Sequence, residues 1–213
     1  MGQQVDVFDG TVSKGQPTAD PITGIWTLKV SNLSIEHHSF TAVALYGSEQ
    51  PSRSWSFTVI GAVSGYENWD RENSQYFNVN IPVRFNSGLI VLVRETDARF
   101  VRPQVSNHGA GAPFGAKTLV ATFYSVVRLS FDGYARKIRL LYNSWNNVNS
   151  KIVFYGVNGN PITTTLLPSG EVYRSGYADC NTGELIDYFE VVVGGQVNNY
   201  QGSVFIDEIS WSS

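Results

Sequence analysis

The chain of 213 residues has one cysteine and one methionine, and only 15% of its residues are charged. Cys180 has no second cysteine, which excludes an internal disulfide and a cysteine-based zinc site. The net charge is −3 with no basic block, which argues against general nucleic-acid binding. No apolar run approaches the roughly 20 residues that span a bilayer, so no membrane insertion is expected. The opening MGQQVDVFDG lacks the charged and apolar regions of a signal peptide. Catalytic signatures are missing too. There is no G-x-S-x-G elbow, phosphate loop or H-E-x-x-H helix. His108 lies in NHGAGAPFGA with no nucleophile beside it, and the acids are scattered without an evident pair. Catalysis is therefore not expected.

Twenty glycines, 12 Phe, 11 Tyr and 5 Trp, with abundant Asn, Ser, Thr and Val, are the make-up of an all-β protein rich in turns. In the first sixty residues four short runs read as strands: Val5–Phe8, Ile25–Val30, Phe40–Tyr46 and Trp55–Val59. His37-His38 is a tempting metal pair, but adjacent strand residues point to opposite faces, so a strand-opening turn is expected instead.

VDVFDGTVSKG followed by DPITGIWTLKVSNLSIEHHSFTAVALYGSEQPSRSWSFTV resembles the Ig-like repeats of large bacterial surface proteins, notably of pseudomonads. The resemblance covers residues 3–59 and implies that Trp26 and Tyr46 are core or corner aromatics. Repeats of this type carry two further strands before the V-x-V-F-D-G strand. Either Met1-Gly2 is a cloning start inside a longer natural chain, or the partial sheet packs on a neighbour. The first is the expectation. Residues 1–60 are then an Ig-like β-sandwich lacking its first strands.

Residues 61–213 carry nine or so strand-like runs and no helix of normal length, which points to a two-sheet jelly roll. The acids of YENWD, then GLIV, KIRL, VFYGVNGN and the closing FIDEISW, resemble jelly-roll domains found as carbohydrate-binding modules and as terminal domains of bacterial surface proteins.

The last strand poses a question. Read with period two, Phe205, Asp207, Ile209 and Trp211 share one buried face, and an ionised carboxylate there needs a partner. The resemblance implies a structural calcium ion held by Glu67 or Asp70 together with Asp207. A salt bridge from Asp207 to Arg128 or Arg139, or hydrogen bonds from loop amides, would serve equally.

Sugars stack on aromatic rings and bond to amides and charged groups, so polar loops with exposed aromatics are the candidate ligand sites. LYNSWNNVNSK offers Trp145 among Asn143, Asn146 and Asn147. EVYRSGYADCNTGE offers Tyr173, Arg174 and Tyr177, and QVNNYQG offers Tyr200. All also read as hairpin loops whose aromatic covers the end of the core. The expectation is an extracellular or cell-surface recognition module, with a glycan or cell-surface protein as partner and the Ig-like unit as stalk. A structural module of a surface or phage-related assembly is the alternative, or an accessory domain of a polysaccharide-degrading enzyme.

Overall fold

The computed structural model describes residues 2–47, 50–97, 99, 101–107, 114–170, 172–196 and 202–213. It is all-β: no helix occurs among the described residues. The chain divides into two compact units, Met1–Gly61 and Ala62–Ser213.

The first unit is a single antiparallel sheet of four strands: β1 (Val5–Asp9), β2 (Val12–Gly15), β3 (His37–Ala44) and β4 (Trp55–Thr58), in the order β2-β1-β3-β4. Gly10, at φ 58°, turns β1 into β2. The expected strand at Ile25–Val30 is not one; that stretch runs irregularly. Its apolar side chains nevertheless face the sheet. Trp26, Leu28, Val30 and Leu33 line a groove of about 320 Å³ together with Val7, Phe40, Trp55 and Phe57. Trp26 and Tyr46 are 37% and 63% exposed, so Tyr46 is not a core residue.

His38 is the best-buried polar side chain of this unit. Its Nδ1 lies 2.6 Å from Asp9 Oδ2 and its Nε2 lies 2.8 Å from the Ser34 carbonyl. Both partners accept, so only the imidazolium satisfies both. The Ser34 carbonyl and the Asp9 carboxylate raise the His38 pKa, and His38 lowers that of Asp9. His37, its neighbour, is exposed.

Among the described residues the second unit holds fifteen strands: β5 (Gly65–Glu67), β6 (Gln75–Tyr76), β7 (Val83–Arg84), β8 (Leu89–Glu95), β9 (Gln104–Ser106), β10 (Thr118–Thr122), β11 (Val126–Ala135), β12 (Lys137–Trp145), β13 (Asn147–Val148), β14 (Lys151–Gly156), β15 (Pro161–Leu166), β16 (Arg174–Cys180), β17 (Ile186–Val192), β18 (Gly195–Gln196) and β19 (Ser203–Ser212). One sheet runs β16-β12-β19-β10-β9-β6, with β5 also on β19; the other runs β15-β14-β17-β11-β8-β7. β13 and β18 form a separate small ladder.

Alternate residues of both sheets meet in one core. Ile138, Leu140 and Tyr142 of β12 and Ala178 and Cys180 of β16 face Leu89, Val91 and Val93 of β8, Leu129 of β11 and Phe189 of β17. Burial pushes the Cys180 thiol pKa up, which keeps it protonated and unreactive.

Candidate functional site

The last strand does not keep one period. Arg139 of β12 pairs with Ser210 of β19, but Leu141 pairs with Asp207, so three steps on β19 match two on β12. The extra residue is Glu208, with φ at 46°, the left-handed geometry of a bulge. Val204 and Ile206 point into the core before it, and Ile209 and Trp211 do so after it. The even residues face inward on one side of the bulge and the odd ones on the other. Phe205 and Asp207 therefore face outward, away from Ile209 and Trp211. The expected common face is corrected: a bulge changes parity, and period-two reading presumes none.

Asp207 is fully buried all the same. Its Oδ2 accepts the Gly115 amide at 2.8 Å and its Oδ1 accepts the Glu208 amide at 2.8 Å. Burial pushes its pKa up to about 6; the two amides oppose the shift, and Asp70 and Glu208 add to it. Of the alternatives, the loop-amide bond is formed and the salt bridge is not, since Arg128 pairs with Glu190 and Arg139 with Asp179. Asp70 accepts the Lys117 amide at 3.1 Å, and a Cβ on Gly115 would lie 2.5 Å from its Oδ1. A larger residue there would have to displace the Asp70 carboxylate.

Glu67 is otherwise engaged. It accepts the Trp69 amide and the Ser87 hydroxyl, each at 2.7 Å, and so supports Trp69 at φ 62°. Among the described residues no three His, Cys, Asp or Glu side chains cluster closely enough to hold a metal ion.

The aromatic residues converge elsewhere. On β12, Arg139, Leu141, Asn143 and Trp145 point away from the core, and they lie against Asp179, Tyr177 and Ser175 of the edge strand β16. Trp145 stacks on Tyr173 with centroids 5.7 Å apart and planes 16° apart, and Tyr173 lies 6.1 Å from the Phe205 ring. At the other end the Arg139 guanidinium sits 4.0 Å over the Tyr177 ring. Tyr173 and Tyr177 are 56% and 47% exposed. Between them Asn143 is 2% exposed and its Oδ1 has no hydrogen-bond partner. An unpaired buried acceptor costs about 1–3 kcal/mol.

This strip unites Trp145, Asn143, Tyr173 and Tyr177, which the sequence distributes over two presumed loops. Three of them are strand residues, and Tyr173 lies in the loop just before β16. Trp145 closes β12, and Tyr177 lies within β16. Arg174 pairs with Ser144 and shares a face with Gly176 and Ala178, away from Tyr177. Asn146 sits in a turn at φ 48°, and Asn147 is buried in β13 against β18, so neither joins the strip. Tyr200 lies outside the described residues. Ser175 was missed, although Gly176, Ala178 and Cys180 alternating with Ser175, Tyr177 and Asp179 is a strand signal.

No protein-family model matches the sequence, and no curated protein matches it. Several solved structures are similar. The K1 adhesin domain of Lys-gingipain from Porphyromonas gingivalis W83 is 8% identical over 66% of this chain and 97% of that one, with TM-score 0.40. A family 29 carbohydrate-binding module complexed with mannohexaose is 15% identical over 71% and 93%, with TM-score 0.39. The enzymatically active domain of tailspike protein 4 of bacteriophage CBA120 is 14% identical over 59% of this chain, which spans only 19% of the tailspike chain, with TM-score 0.38. At such identities and scores no residue role is transferred.

Proposed function

We propose that the protein is a non-catalytic recognition module of the cell surface or extracellular space. Its second unit binds a glycan and its first unit serves as a stalk. The observation that carries this reading is the stack of Trp145 on Tyr173, with Tyr173 56% exposed, beside the exposed Ser175 and Tyr177. A pyranose has apolar C–H faces that pack on such rings, and hydroxyls that can bond to the exposed Ser175 hydroxyl. Trp145 ends the paired strand β12 and Tyr173 rests on it, so the stack is pre-positioned and little ordering entropy is lost on binding.

A structural calcium ion at Asp70 and Asp207 belongs to the same proposal. Both carboxylates flank Gly115, and neither has a basic partner within ion-pair distance among the described residues. A hard cation with oxygen ligands would relieve the burial of Asp207. Glu67, with both oxygens committed to Trp69 and Ser87, contributes at most indirectly.

The test is a glycan array probed with the full chain and with Trp145→Ala. Binding by the wild type that is lost in the variant, at unchanged circular dichroism, supports the reading. Wild-type binding that survives the substitution removes the site, and binding only to protein ligands favours an assembly module instead.

A further inference from the structure

On the reading of the strip as a glycan site, we infer that its ligand is a linear, uncharged oligosaccharide lying along β16 rather than across the sheet. Exposure decides the direction. Toward the middle of the sheet the same face is closed, with Leu141 at 2%, Phe205 at 4% and Val120 at 2% exposure. Leu141 pairs with Asp207, and Phe205 pairs with Val120, so these are the positions a ligand crossing the strands would have to overlie. Toward the outside β16 is the terminal strand, and Tyr173, Ser175, Tyr177 and Asp179 are all exposed along it. The accessible surface is a strip one or two strands wide.

Its length sets the size of the ligand. Tyr173 and Tyr177 are four residues apart, and in extended chain that is about 13 Å, room for about three sugar rings. The Trp145–Tyr173 stack stands at one end and Tyr177, capped by Arg139, at the other. Ser175 lies midway and supplies an exposed hydroxyl, while Asn143, its partner on β12, is as closed as Leu141. The charge pattern sets the class. Arg139 and Asp179 lie 3.6 Å apart and offset each other, and Arg174 faces the other side of β16. Among the described residues, no unpaired charge remains on this face between the two tyrosines to reward an acidic sugar.

Calorimetric titration with neutral linear oligosaccharides, from disaccharide to hexasaccharide, and with an acidic oligouronate tests this. Affinity is expected to rise up to about the trisaccharide and then level off. Tyr177→Ala should weaken the trisaccharide about tenfold and leave the disaccharide unchanged, whereas Tyr177→Phe keeps the ring and the affinity. Trp145→Ala should remove both. Affinity independent of length, or indifferent to Tyr177→Ala while Trp145→Ala abolishes it, overturns the extended strip and leaves glycan recognition standing. Preference for the oligouronate overturns the uncharged class. Failure of the wild type to bind any oligosaccharide overturns this inference and the glycan reading together.

Discussion

Glu208 shows what one residue does to a strand. Its left-handed backbone is a conformation that costs a non-glycine residue roughly 1 kcal/mol, and it lets Asp207 face outward while Ile209 and Trp211 rejoin the core. Glu208→Gly should therefore raise stability by about 0.5–1 kcal/mol, and it also removes a carboxylate that helps raise the Asp207 pKa. Denaturant unfolding measures this; a clear loss of stability would mean that the Glu208 side chain contributes more than its backbone costs. The same residue marks a limit of sequence reading. FIDEISW identifies a buried carboxylate correctly, but nothing in its composition announces the extra residue. Asp207 was legible as a problem, and its face was not.

At the scale of elements, alternation located the long strands, while short or irregular pieces escaped it. Trp145 and Tyr177 looked like loop residues because asparagines surround the first and small polar residues the second. Cross-strand pairing holds them in strands despite that local composition. Ile25–Val30 errs the other way: it has the composition of a strand but packs on the sheet without pairing. That irregular segment is held at Ser34 by His38. The folded His38 pKa is raised above its ordinary 6.5, so its stabilisation is fully present below that value and is lost as pH rises through the folded value. Asp9, lowered from 3.8, has the opposite sense: its contribution is present above 3.8 and is lost as acid protonates it. The latch should be tightest between the two. Amide exchange at β1 and β3, corrected for intrinsic rates, should slow from alkaline to mildly acidic buffer in the wild type. It should lose that dependence in His38→Gln. Equal pH dependence in both would assign it to other groups.

For the whole molecule, the two units differ in how much they bury. The second has a continuous two-sheet core, whereas the first has one sheet, a groove, and large apolar side chains such as Trp55 exposed at 69%. Heating should therefore give two transitions, the first unit melting lower, and calcium should raise only the upper one. In chelator, the raised pKa of Asp207 adds stability as pH falls from about 6 toward 3.8, because the folded state holds the proton more tightly. A bound cation favours the ionised carboxylate and should reverse that trend. No metal-dependent shift, at any pH, would leave Asp207 as a carboxylate held by two amides and nothing more.

The central claim, that the Trp145 strip is where a glycan binds, is tested most directly by nuclear magnetic resonance on the full chain during titration with the tightest-binding oligosaccharide. The account predicts shifts at the Trp145 indole N–H, the Asn143 side-chain amide and the Tyr173 and Tyr177 rings, with the first unit undisturbed. Shifts concentrated elsewhere, with the Trp145 indole unmoved, would contradict it.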